Sequence, residues 1–215
     1  MDKIKLKAVA DRVKEIKNEF KNLLPKELQE EFEECAYLGG GAIFSLYNDE
    51  EPKDYDFFVT SKTFASKAHW IFSNNGTLKY KNGIKIGTHR GKLLIVTNNA
   101  ISIDKKFQIV TAWVGTPQEV IGEFDFKHNM FYVHNNGVEA LVCWSYLEEK
   151  KLYYNEKRAR DICGTIIRVK KFVERGFAIT NKEMSKMLLK LHEVGFNERE
   201  LEILNYHDER NDFGS

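Results

Sequence analysis

Apolar side chains recur at three- to four-residue spacing through Ile4, Val9, Val13, Ile16, Phe20 and Leu24, which predicts an amphipathic helix over residues 3–24. Pro25 suits the first turn of a second, shorter helix running to Glu34. Cys35-Ala36-Tyr37-Leu38 then reads as a strand that runs into three glycines, and 42–47 as the first turns of a helix behind them. A strand over 54–59 and a helix over 62–74 follow. The middle of the chain is β-rich. Residues 93–97 and 100–104 are apolar runs separated by Asn98-Asn99, a two-residue hairpin signal. Strands are expected over 107–114 and 126–133.

After about residue 137 the pattern turns helical. Thr180 with Glu183, and Asn197 with Glu200, have capping-box spacing, while Gly176 and Gly195 stand where helices should stop. The change of pattern at His134-Asn135-Asn136-Gly137 predicts two parts, 1–136 and 137–215, with a frayed tail at 208–212.

The candidate chemistry sits early. Leu38-Gly39-Gly40-Gly41-Ala42-Ile43 is followed by Pro52-Lys53-Asp54-Tyr55-Asp56-Phe57-Phe58-Val59. Residues i and i+2 of a strand share a face, so Asp54 and Asp56 bring two carboxylates side by side. Such a pair repels itself unless a cation intervenes, and Mg²⁺ favours one or two carboxylates with substrate phosphates completing its shell. A glycine turn with accessible backbone N–H groups is a natural cradle for those phosphates. The pairing reads as metal-assisted phosphoryl or nucleotidyl transfer.

Composition narrows the setting without changing that reading. With 215 residues the chain can bury a core, and its net charge of +1 leaves any nucleic-acid contact to a local patch. One such patch lies on a predicted helix where Arg168, Lys171 and Arg175 share a face. Its bland alternative is a solvated face balanced by nearby acids. The three scattered cysteines imply free thiols, and no apolar run reaches membrane-spanning length, so a cytoplasmic protein with no membrane partner is expected. The six histidines show no zinc-ligand spacing; His128 is expected to be half-exposed on a strand. Trp70, Trp113 and Trp144 are isolated and are assigned to the core.

Residues 38–59 resemble the head domain of class II nucleotidyltransferases, the CCA-adding enzymes and bacterial poly(A) polymerases of the DNA polymerase β superfamily. That family carries Gly-Gly followed by Asp-x-Asp fourteen and sixteen residues after the first glycine, the separations of Gly40 from Asp54 and Asp56 here. Phe107-Gln108-Ile109-Val110-Thr111 resembles its later catalytic-face strand, and Asp125-Phe126-Lys127-His128-Asn129 its Asp-x-x-x-Asn element.

The resemblance implies an α/β (α+β) fold, a polymerase-β-like head with mixed sheet and flanking helices, followed by a small helical part. It implies Asp54 and Asp56 as catalytic metal ligands for Mg²⁺ (or Mn²⁺). Gly39, Gly40, Gly41, Asp125 and Asn129 would bind the NTP, and Arg168 and Lys171 would contact RNA or phosphate. The implied activity is template-independent transfer of a nucleotide to an acceptor, with tRNA-like RNA as the family's habit.

The chain also departs from the pattern. Phe44-Ser45 stands where the family has Arg-Asp, Gln108 where it has a third carboxylate, and Glu123-Phe124 where two arginines precede Asp125. Two other readings therefore stand beside the first: transfer to a protein or small molecule, and a non-catalytic descendant that binds nucleotide or RNA.

Overall fold

A computed structural model describes residues 2–81, 84–134, 137–158, 160–198, 200–202 and 204. The chain forms two compact units, Met1–Phe124 with His128–Glu148, and Asp125–Lys127 with Glu149–Ser215. The division expected at residue 136 falls within the first unit, between two strands that pair with each other; residues 135–136 themselves, and the expected frayed tail, lie outside the described residues.

The first unit is built on one mixed sheet. Its strands are β1 (Ala36–Gly39), β2 (Tyr55–Val59), β3 (Lys79–Lys81), β4 (Ile84–His89), β5 (Lys92–Val96), β6 (Ala100–Ile103), β7 (Phe107–Val114), β8 (Phe131–His134) and β9 (Gly137–Ala140). They lie in the order β3-β4-β5-β6-β7-β2-β1-β8-β9. Neighbours run antiparallel except β2 and β7, which are parallel. The helices are α1 (Lys3–Leu23), α2 (Lys26–Cys35), α3 (Gly41–Tyr47), α4 (Lys62–Ser73) and the short α5 (Pro117–Ile121).

Strand alternation decides which sheet face is covered. Tyr55, Phe57 and Val59 of β2 are buried, as are Phe107 and Ile109 of β7 and Ile101 and Ile103 of β6. Against them α1 sets Phe20, stacked on Phe107 at 5.0 Å and tilted on Phe57 at 5.4 Å. Phe32 of α2 joins Phe20 edge-on at 5.4 Å and approaches Phe64 of α4 at 6.1 Å. The first helix thus braces the sheet. Its start is fixed by Asp2, whose carboxylate accepts from the amides of Ile4 and Lys5. Ser61 caps α4 through the Phe64 amide, and Thr116 and Glu119 form a reciprocal box at α5.

The second unit holds α6 (Ile162–Glu174) and α7 (Asn181–Val194). Phe126 meets Phe172 edge-on at 5.3 Å, and Phe172 meets Phe177 at 5.5 Å. Gly176 (φ +86°) and Gly195 (φ +71°) take left-handed conformations just past the two helices, where the sequence places the stops. Both expected helix starts hold as well: Thr180 accepts from the Glu183 amide, and Asn197 and Glu200 exchange hydrogen bonds with each other's amides.

Two expectations are corrected, and one pairing is new. The strand expected over 126–133 is a 3-10 turn at Lys127–Asn129 followed by β8, because Lys127 donates its amide to Tyr153 instead of continuing a ladder. Helices expected from 137 onward begin only at α6; β9 and a 3-10 turn at Trp144–Leu147 come first. The β3–β4 pairing was not anticipated, though Ile84-Lys85-Ile86 does alternate.

Candidate active site

The strand β1 delivers the glycines to the end of the sheet. Gly40 takes φ +87° and ψ −149°, a region open only to glycine, and turns the chain into α3. A Cβ at Gly40 would lie 3.1 Å from the Phe124 ring, and one at Gly41 would lie 3.4 Å from Asn129 Oδ1. The Gly40 amide donates to the Phe131 carbonyl at 3.1 Å, and the Gly40 carbonyl accepts from Ile43. Of the cradle amides inferred from the sequence, that of Gly40 is therefore already engaged within the protein.

Asp54 lies just before β2 and Asp56 within it, both half-buried. Tyr55 and Phe57 point into the core, so alternation sends Asp54 and Asp56 to the opposite, less covered face. On that face Asp56 is the register partner of Gln108 on β7, and Gln108 in turn pairs with Ser102 on β6. The row holds a carboxylate, a carboxamide and a hydroxyl, with the Asp54 carboxylate just ahead of it. Among the described residues no group of three or more His, Cys, Asp or Glu side chains gathers as a metal cluster. Two carboxylates with a neutral oxygen donor alongside nevertheless fit Mg²⁺, which binds through one or two protein carboxylates and takes the rest of its shell from phosphates and water.

Beside the glycine turn, Asn129 is 8% exposed, and its Oδ1 is buried without a hydrogen bond. His128 is not the half-exposed strand residue expected: it is buried in the 3-10 turn and meets Phe44 edge-on at 5.3 Å. Phe44 and Ser45, where the resembling family has Arg-Asp, are both buried and belong to the core. Phe124 lies 5.5 Å from Phe58 and covers the open side of Gly40.

In the second unit Asp125 is committed to an ion-pair network. Its Oδ2 accepts from Arg168 Nε at 2.6 Å and its Oδ1 from the Phe126 amide at 3.0 Å. Arg168 Nη1 also donates to Asp161 at 3.1 Å, and the buried Arg158 reaches the same carboxylate at 3.3 Å. Both guanidinium groups donate to Thr165 Oγ1. Burial works against the charge on Arg168, yet Asp125 and Asp161 outweigh it and raise the pKa. For Arg158 burial prevails and the pKa is lowered.

Arg168 is thus held by acids of its own unit, while Lys171 stays exposed. Arg158 lies outside α6, which starts at Ile162. The i, i+3 spacing of Arg158 and Asp161 is the signal that would have shown the network.

A glycine turn leading from strand to helix, followed by Asp-x-Asp on the neighbouring strand and a parallel third strand, defines a class II nucleotidyltransferase-like head. Solved structures agree on the fold. A CCA-adding enzyme in complex with ATP superposes with a TM-score of 0.52 at 19% identity, covering 83% of this chain and 43% of that one. A CCA-adding enzyme in its apo form II gives 0.51 at 17% identity, covering 83% and 45%.

The profile of the Gabija anti-defense 2 family matches residues 14–158, and the chain belongs to this family. A curated relative, Gabija anti-defense 2 of Bacillus phage SPbetaL7, is 26% identical over 192 residues, 82% of this chain and 44% of its own length. The chain therefore spans less than half the length of these three relatives. Among the described residues no helix is long and apolar enough to cross a membrane.

Proposed function

We propose that the chain carries a metal-dependent nucleotidyltransferase site that moves a nucleotide from an NTP to an acceptor hydroxyl without a template. One observation carries the reading: Asp54 and Asp56 lie half-buried at the start of β2, next to the glycine strand β1, with Gln108 in register beside Asp56. Asp54 and Asp56 would hold Mg²⁺ or Mn²⁺, which when bound would supply neutralisation of phosphate charge and a lowered pKa for an attacking hydroxyl. Gly41 lets the phosphates approach the backbone closely, whereas the bare side of Gly39 is filled by Ile121. The unbonded Oδ1 of Asn129 accepts a ribose hydroxyl beside Gly41. Asp125, already bonded to Arg168, serves by anchoring the second unit.

RNA is the acceptor class carried over from the fold likeness, although Arg168 lends it no free cation. The curated relative is named for countering Gabija defence. By that likeness this chain acts in the same contest, and a protein acceptor is the alternative. The retention of a non-catalytic, nucleotide-binding role is a second reading, favoured by the carboxamide of Gln108 where a third carboxylate would serve as base.

Transfer of each α-labelled NTP to total RNA and to total protein, with Mg²⁺ or Mn²⁺, tests the proposal. Label that appears with the wild type and not with Asp54→Ala/Asp56→Ala supports it and names the acceptor. Label on neither, with metal-dependent NTP binding retained, selects the binding reading.

A further inference from the structure

Trp70, assigned to the core from its isolation in the sequence, is 68% exposed. It stands on α4 at a groove of about 830 Å³ between that helix and residues of β4 and β7. Lys85 pairs with the buried Val96, so this groove opens on the helix-covered side of the sheet, away from Asp56 and Gln108.

Its lining is mixed, and the charge it carries is cationic. Lys62 and Lys85 contribute two ammonium groups, and among the described lining residues there is no carboxylate. Glu119, the acid that senses Lys62, is first held by the Thr116 amide and hydroxyl, which lower its pKa. Lys85 is drawn along the groove by the Ser73 carbonyl at 3.3 Å. His69 is fixed between two partners: its Nε2–H donates to the Thr97 carbonyl at 3.1 Å, and its Nδ1 accepts from Ser73 Oγ at 3.4 Å. Thr111 Oγ1, in the wall, is buried without a hydrogen bond.

The exposed indole offers a flat stacking face, and the two lysines beside it, with no carboxylate in the groove lining, attract an anion. An aromatic platform beside cations is what nucleotides use for binding that tolerates any base: the ring stacks and the cations meet phosphate. We propose that this groove is a second ligand site that takes a nucleobase flanked by phosphate, with Trp70 as the stacking surface and Lys62 and Lys85 as the phosphate partners. Free nucleotide and single-stranded nucleic acid share this chemistry. The site does not depend on the transfer reading, since it lies on the other side of the sheet and uses none of the same residues.

The test measures binding of a fluorescent twelve-residue oligouridylate and of a fluorescent ATP analogue in EDTA. The protein is the full chain with Asp54→Ala/Asp56→Ala, so that the metal-dependent site is silent. Binding of the oligomer alone identifies a strand, and binding of both identifies free nucleotide as a competing source. Adding Trp70→Ala should weaken binding by about five- to a hundredfold. Adding Lys62→Gln/Lys85→Gln should weaken it further at low salt and flatten its salt dependence. Trp70→Phe, which keeps a ring, should restore part of the affinity. No binding by either probe, or binding that ignores Trp70→Ala and the lysine changes, overturns the proposal.

Discussion

The Asp125–Arg168 pair offers a sharp test of the second unit, because the sequence reading gave both residues to ligands and the structure gives them to each other. The Asp125 side chain is 12% exposed and that of Arg168 is 37%, with 2.6 Å between the bonded atoms. Exposed pairs contribute about 0–1 kcal/mol, whereas removing one partner of a buried pair costs about 3–5 kcal/mol. This pair stands between those limits, and solvent screening at Arg168 lowers the expectation to about 2 kcal/mol for either single change. Asp125→Asn keeps the acceptor for the Phe126 amide, so its loss reports on the charge. Arg168→Gln strands two carboxylates, one of them shared with Arg158. Hydrogen exchange of the α6 amides reads the opening free energy of this unit directly. Each single variant should lower it by about 2 kcal/mol, and the double variant should fall short of the sum by about 1 kcal/mol. Additivity within about 0.3–0.5 kcal/mol would refute the pairing and return Arg168 to the pool of free cations.

Phe20→Ala removes a fully buried ring that touches Phe32, Phe57 and Phe107, and should cost about 3–5 kcal/mol in urea unfolding; a cost under about 1 kcal/mol would show that α1 is no brace. Gly40→Ala forces a Cβ into a glycine-only backbone region against Phe124, with an expected loss of about 1–3 kcal/mol by the same assay. Thiol alkylation at pH 8 should take the exposed Cys143 first, since the Ser145 hydroxyl bonds its sulfur and lowers its pKa, and should spare the buried Cys35 until unfolding. Burial pushes the Cys35 thiol up from 9.0 to about 11. Between those values the native state keeps a proton that the unfolded state has lost. That part of the stability, roughly 2–3 kcal/mol, is present below pH 9 and lost by pH 11, and Cys35→Ala should flatten the alkaline slope of urea midpoints.

Much of the head was legible because its signals are local. The spacing from Ile4 to Leu24 located α1, Asn98-Asn99 located the β5–β6 turn, and the separation of Gly40 from Asp56 located the open end of the sheet. The register of Asp56 with Gln108 sets β7 beside the Asp-x-Asp strand, a neighbourhood that only pairing across the sheet could reveal. What stayed hidden depends on partners distant in sequence. Arg168 looks solvated on a helical wheel, and only the chain's return past Asp125 supplies its partner. His128 and Phe44 bury each other, which no periodicity records. Trp70 and Trp113, assigned to the core for their isolation, are both exposed; on α4, Phe64, Ala68 and Phe72 turn inward, and an indole two positions after Ala68 is carried outward. The strands β3 and β9, of three and four residues, are too short to display a period.

The measurement closest to the central claim is calorimetric titration of an NTP into the full chain with Mg²⁺ and with EDTA, comparing the wild type with Asp54→Asn/Asp56→Asn. The paired carboxylates as cation site predict NTP binding that requires Mg²⁺ in the wild type and is lost, or no longer responds to Mg²⁺, in the variant, with far-UV circular dichroism unchanged. NTP binding of equal strength with and without Mg²⁺, or Mg²⁺-dependent binding that survives both substitutions, would contradict it.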